Sequence, residues 1–218
     1  YDPAIVDSTI AVTDAESFAM AHRVTVEEGI LIGGSGGTAV AAALQIAENL
    51  TAQDLVVVLI PDSGRGYLSK VFDKSWMANM GFSRQEGPTI ADLLDQRTKD
   101  QSELAYVSPE SNLEEAISIM QERGLPGIPV ANGEMPLAAA EVMGSVFQDS
   151  LLEESSKTDQ PSTRKVQDVM GPNMPTVGVG ESLTVAATKL ENSQVLLVLD
   201  DGQPRSLLTR SDLAGSDI

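Results

Sequence analysis

Cysteine is absent from the 218 residues, which excludes disulfides, thiolate metal sites and cysteine nucleophiles. Histidine occurs once, at His22, inside an apparent helix over residues 15–28, and a metal centre would need further ligands beside it. Positive charge is scarce: 14 Lys and Arg face 32 Asp and Glu, a formal balance of −18. Such a surface repels phosphate backbones and anionic lipid headgroups, so neither nucleic acid nor a membrane is an expected partner. Long apolar runs are missing as well. None reaches the roughly 18 residues of a membrane span, and no signal-peptide pattern opens the chain, so a cytoplasmic location is expected. There is no initiator Met before Tyr1, and the chain is expected to be a piece of a longer polypeptide.

What is present is a composition that is 42% hydrophobic, enough for one large or two small packed domains. The first part alternates strand and helix signals. Residues 9–12 read as a short β-branched strand, Thr13 or Asp14 as a helix cap, and Gly29 as the helix-ending glycine. Residues 30–32 form an apolar strand candidate that runs into Gly33-Gly34-Ser35-Gly36-Gly37. An Ala-rich helix pattern follows over residues 38–50, and a second apolar strand candidate, residues 55–60, ends at Pro61-Asp62. Strands alternating with helices predict a parallel sheet covered on both faces, with ligands at the carboxyl ends of its strands.

The pattern changes after Phe82. Residues 83–88 are polar, with Gly and Pro, and read as a linker. From Thr89 one unit is used twice. In the first copy, strand residues 105–107 precede a helix over 112–123, a strand over 128–130, an Asn132-Gly133 hairpin turn and a strand over 141–146. In the second, Pro175-Thr176-Val177 precedes a helix over 182–190 and a strand over 195–199. Asp201-Gly202 then makes the matching turn into residues 206–208. Between the copies, residues 153–162 are polar and charged, as a flexible linker would be.

Residues 28–37, Pro61-Asp62-Ser63-Gly64-Arg65-Gly66-Tyr67, Trp76-Met77 and Gly81-Phe82 resemble the end of the catalytic domain of the cystathionine β-synthase family. Val166-Gln167-Asp168-Val169-Met170, Pro175-Thr176-Val177 and Leu208-Thr209-Arg210-Ser211-Asp212-Leu213 resemble a CBS motif, pairs of which form a Bateman module. The resemblance implies an α/β chain: the C-terminal piece of a fold-type II pyridoxal-phosphate enzyme domain followed by a tandem CBS-domain pair. The implied boundaries are 1–82 for the catalytic piece, 83–88 for a linker, 89–153 for the first CBS motif, 154–162 for a second linker and 163–218 for the second motif. It further implies a lyase of the β-replacement type that joins serine, or an activated serine, to homocysteine to give cystathionine. S-adenosylmethionine is the implied effector, and a homodimer or larger homo-oligomer the implied assembly.

Taken residue by residue, the glycine-rich turn has two readings. It is a strand-to-helix turn whose glycines serve φ and close packing, or a cradle that brings N–H groups to an anionic ligand. The resemblance places Ser35, beside Gly34, opposite the pyridine nitrogen of pyridoxal phosphate, where a hydroxyl gives a milder electron sink than a carboxylate. It also places Pro61 and Asp62 beside the cofactor ring; otherwise Pro61 ends a strand and Asp62 caps turn N–H groups. The Schiff-base lysine this chemistry requires belongs to a motif these residues do not match. Lys70 and Lys74 match neither it nor the family's phosphate loop, so the chain by itself is expected to be inactive.

Thr209 and Asp212 have the spacing with which the resembled family holds an adenosyl ribose, and Thr176 and Val177 complete the expected effector site. The bland reading of Thr209 and Asp212 is a threonine cap with an acidic first-turn residue. In the first copy the equivalent places fall on Phe147 and Ser150, which lack a carboxylate, so one adenosyl site is expected rather than two. Two alternatives stand beside this reading. One is an O-acetylserine-type cysteine synthase, a family that generally lacks a CBS extension; the other is a free-standing adenosine-ligand module without catalysis.

Overall fold

The computed structural model describes residues 2–97, 103–156 and 164–214. It divides between Met77 and Ala78 into two compact units.

In the first unit, helix α1 spans Asp14–Glu28. Its start is a reciprocal box: Thr13 Oγ1 accepts from Glu16 N–H at 3.2 Å, and Glu16 Oε2 accepts from Thr13 N–H at 2.9 Å, satisfying two of the donors a helix start leaves over. Helix α2 spans Gly34–Ala47, and its glycine-rich first turn, with Gly34, Gly36 and Gly37 all buried, packs it closely on α1. Thr38 Oγ1 donates to Ser17 Oγ at 2.7 Å across the contact. The core is small, with Ala21, Ile32 and Val71 buried among Phe18, Val40, Tyr67 and Phe72.

Among the described residues of this unit, the expected parallel sheet does not form. The pairing described here is one antiparallel bridge, Ile32 to Ser63, and neither residues 9–12 nor residues 55–60 are assigned as strand. Leu55, Val57 and Leu59 are 88%, 84% and 81% exposed. An apolar β-branched run fits a pleated, half-buried surface only when neighbours supply one, and among the described residues none does.

Among the described residues the second unit has two sheets. Helix α3 (Lys74–Asn79) leads into it, and α4 (Ile90–Leu94) follows. Helix α5 (Leu113–Arg123) precedes β1 (Gly127–Ala131), which pairs antiparallel with β2 (Val142–Phe147), and α6 (Gln148–Ser156) follows. The second copy runs β3 (Thr176–Gly178), α7 (Leu183–Leu190), β4 (Val195–Asp200), β5 (Gln203–Thr209) and α8 (Arg210–Leu213). Strand β4 is central, parallel to β3 and antiparallel to β5.

Strand alternation sorts two cores. Val195, Leu197 and Leu199 join Leu113, Ile128, Val130 and Val146. Leu196 and Val198 join Val177, Leu190 and Leu208. Burial of β4 on both faces explains its unbroken apolar sequence, and each such side chain contributes roughly 1.5–3 kcal/mol.

Two local features differ from expectation. Asp201 (φ 48°) and Gly202 (φ 74°) form the predicted tight turn, but Asn132-Gly133 does not. The chain there closes by Asn132 N–H to Glu141 O at 3.1 Å after a short 3-10 turn, Ala139–Glu141. A two-residue turn of this kind needs positive φ at both central positions, and neither residue adopts it.

The stretch read as a linker, 83–88, is also held down. Gln85 N–H donates to Gly180 O at 2.8 Å and its Oε1 accepts from Ser182 N–H at 3.1 Å. A Cβ on Gly180 would stand 2.0 Å from Ser83 O, so only glycine lets the strap lie there. Helix α4 then places Ile90 and Leu94 in the core of the second copy, beside Val177, Leu208 and Leu213. Of the inter-repeat linker, residues to Ser156 are helical, residues 157–163 lie outside the described residues, and Arg164 reaches back to Glu154 at 2.6 Å.

Candidate functional site

In the first unit the glycine-rich turn and the Pro61-Asp62 loop meet. Gly33 N–H donates to Asp62 O at 3.3 Å, and a Cβ on Gly33 would fall 2.1 Å from Asp62 Oδ1. Ser35, exposed on the first turn of α2, donates to that Oδ1 at a long 3.4 Å, while Tyr67 donates its hydroxyl to Asp62 Oδ2 at 2.6 Å. The hydrogen bond to the Asp62 carboxylate raises the Tyr67 phenol above its ordinary value. Gly34, Ser35, Pro61 and Asp62 are therefore neighbours, and Tyr67, which no spacing rule singled out, fixes Asp62. His22 stands with its ring centroid 5.3 Å from that of Phe72.

In the second unit, β5 ends at Thr209 and α8 opens immediately after it. Asp212 Oδ2 accepts from both Thr209 N–H and Thr209 Oγ1, each at 2.7 Å. The pair is thus a helix-start box, as its bland reading has it, and it also lines a cleft of about 430 Å³. The facing wall comes from the first copy: Ala105, and the end of α5 at Glu122, Arg123, Gly124 and Leu125. Three carboxylates (Glu103, Glu122, Asp212) and two guanidinium groups (Arg97, Arg123) line it. Arg123 approaches Glu103 at 3.9 Å.

Arg97 was not singled out by its sequence, yet it is central. Its Nη1 donates to Ser206 Oγ at 3.1 Å and Leu207 O at 3.0 Å, and its Nη2 lies 2.7 Å from Asp212 Oδ1. The side chain is only 11% exposed. It reaches the cleft because α4 is anchored in the second copy's core.

Thr176 and Val177 do not reach this cleft. Parallel pairing with β4 turns Val177 into the core, fully buried. Thr176 Oγ1 accepts from Asn79 Nδ2 at 2.8 Å, part of a network in which Lys189 Nζ donates to Thr176 O and Asn79 Oδ1, both at 3.0 Å, and meets the buried Glu181 at 3.2 Å. The residues opposite Thr209 and Asp212 come instead from the first copy.

A second cleft, about 650 Å³, lies at the end of β2. Phe147 and Ser150 stand there as Thr209 and Asp212 stand at the end of β5, with Asn173, Asn192 and Gln194 opposite. Arg210, at its edge, donates to Leu190 O at 2.7 and 2.9 Å and to Glu191 O at 3.1 Å, capping the end of α7. No carboxylate occupies the position equivalent to Asp212.

Among the described residues, no helix is long and apolar enough to cross a membrane. Comparison with known proteins finds the CBS domain family over residues 100–138 and 166–216. A cystathionine beta-synthase of Mus musculus is 32% identical over 73% of this chain and 29% of its own length. One from Dictyostelium discoideum is 28% identical over 96% of this chain and 43% of its own. The chain spans less than half the length of these curated relatives. A solved CBS-domain containing protein from Agrobacterium tumefaciens is 15% identical, with a TM-score of 0.49 over 62% of this chain and 99% of that one.

Proposed function

Because the chain carries a pair of CBS domains and is homologous to the C-terminal regions of cystathionine β-synthases, we propose that its second unit is an adenosyl sensor, with S-adenosylmethionine as effector, bound at one cleft. The observation that carries this reading is the Thr209–Asp212 pair on the rim of the 430 Å³ cleft between the copies. A carboxylate held at a cavity wall accepts hydrogen bonds from a vicinal diol, and an apolar wall of Ala105 and Leu125 suits a purine face. Among the described residues, three acidic side chains against two basic ones favour a sulfonium over a polyphosphate. At the cleft beside Phe147 and Ser150 no carboxylate stands at the position of Asp212, and the lining Glu191 comes instead from the end of α7, which argues for one adenosyl site per chain.

The first unit, on this reading, is the C-terminal part of a pyridoxal-phosphate catalytic domain in a longer cytoplasmic, homodimeric enzyme. The residues present fit one edge of the cofactor. The Ser35 hydroxyl is exposed beside the buried Gly33 and Gly34, and its long contact to Asp62 leaves it free to serve the pyridine nitrogen. Gly34 packs against the Phe18 ring and so seats the turn, and Tyr67 keeps Asp62 turned into the loop with Pro61. When bound, the cofactor supplies the electron sink for replacing the serine hydroxyl with homocysteine sulfur. The lysine that would hold the cofactor belongs elsewhere in the intact enzyme.

Calorimetric titration of S-adenosylmethionine, ATP and AMP into this chain tests the sensor. Saturable binding of S-adenosylmethionine at one site, weakened at least 100-fold in Asp212→Asn, is the expected result. Failure of all three to bind removes the adenosyl assignment.

A further inference from the structure

Arg97 Nη2 is a buried side-chain nitrogen that, among the described residues, has no hydrogen-bond acceptor in line with its N–H groups. It lies 2.7 Å from Asp212 Oδ1, so charge attraction is present while the directional bond is not. A buried donor without a directional acceptor is unfavourable, and side-chain freedom does not account for it here. Nη1 is tied to Ser206 and Leu207, and the backbone at Arg97 continues from α4, with its N–H on Leu94 O at 3.0 Å. Both groups line the same cleft.

We propose that Arg97 is a direct ligand contact that makes the cleft selective for a free cis-diol. This rests on the adenosyl reading above and extends it to a residue outside the Thr209–Asp212 pair. A hydroxyl both donates and accepts. Asp212 Oδ2 is committed to Thr209, so Oδ1 is the acceptor left for a ligand O–H. Arg97 Nη2 beside it is the donor left for that oxygen's lone pair. The two side by side match a hydroxyl, which accepts from Nη2 and donates to Oδ1, whereas a deoxy carbon offers neither bond and leaves the buried guanidinium donor without an acceptor in line. The acidic partner alone would accept from any donor; the adjacent guanidinium is what makes the pocket read an O–H.

The test is titration of adenosine and 2',3'-dideoxyadenosine into the chain and into Arg97→Gln and Arg97→Lys, with thermal melting of each to check folding. The expected outcome is that Arg97→Gln weakens adenosine about tenfold, leaves 2',3'-dideoxyadenosine within twofold, and so erases most of the preference between them. Arg97→Lys, which restores a cationic donor, is expected to recover part of it. An Arg97→Gln chain that binds adenosine as well as or better than the parent overturns the proposal while the adenosyl reading stands. Should Arg97→Gln fail to fold, an Arg97→Lys chain with the parent's full diol preference overturns it equally. Absence of adenosine and S-adenosylmethionine binding to the parent chain overturns the reading beneath and the proposal with it.

Discussion

The second unit holds the same local constellation twice. At Thr89-x-x-Asp92, Asp92 Oδ2 accepts from Thr89 N–H and Oγ1 at 2.8 Å each, and Arg84 Nη2 donates to Oδ1 at 2.6 Å. At Thr209-x-x-Asp212 the same carboxylate oxygen takes the same two donors, and Arg97 Nη2 stands at Oδ1. The difference lies around them. Arg84 is 61% exposed and its bond is complete; Arg97 is 11% exposed, out of line, and faces a cavity. A threonine and an aspartate three apart are therefore a helix-start device first. To hold a ligand as well, they need an opposite wall and unspent hydrogen-bonding capacity, both of which the second box has.

The largest expected effect separates the two boxes by ligand. Asp212→Asn is expected to weaken S-adenosylmethionine at least 100-fold, and Asp92→Asn to leave it within twofold, both read by calorimetry. Equal losses in the two variants would mean that the boxes act through stability and not through contact.

The box can also be transplanted to the other cleft. Phe147→Thr with Ser150→Asp writes the box into the 650 Å³ cleft, at the positions that end β2 and enter α6. If wall and cavity are what the Thr89 box lacks, stoichiometry should rise from one site toward two, the new site being about tenfold weaker because Arg210, the arginine among its described lining residues, is spent on the end of α7. Unchanged stoichiometry would show that the larger cleft lacks a purine-binding wall.

Much of this unit was legible in the sequence because its signals are local. Asn112 and Ser182 cap the helices they were read to begin, accepting from Glu115 and Val185 N–H. Asp201-Gly202 turns because both residues reach positive φ. Thr209 and Asp212 were legible by spacing, but Thr89 and Asp92 carry the same spacing and line none of the clefts described above, so the pattern does not separate cap from site. What lay beyond local reading is long-range. Nothing near Arg97 announces that its guanidinium meets Ser206 and Asp212, or that α4 belongs to the second copy's core. Val177 looked available because a Pro-Thr-Val run does not state which face β4 will cover. Residues 55–60 fail differently: their composition is that of a buried strand, but strand formation requires pairing partners, and composition alone does not provide them.

The smallest expected effect is on pH, and it belongs to the exposed box. Hydrogen bonds from the Thr89 backbone, then the Thr89 hydroxyl, then Arg84, lower Asp92 from an ordinary 3.8 to about 2. A carboxylate depressed on folding contributes stability that is fully present above its ordinary value and is lost as pH falls toward the depressed one. The α4 cap should therefore hold down to about pH 4 and loosen progressively toward pH 2. Amide exchange at Thr89, whose N–H Asp92 accepts, should rise relative to other capped amides across that interval. Asp92→Asn should remove the dependence. Added salt should move the loosening to higher pH, because an exposed guanidinium such as Arg84 is readily screened. If exchange at Thr89 instead followed global unfolding at every pH, α4 would be held by Ile90 and Leu94 alone, and its box would contribute nothing separable.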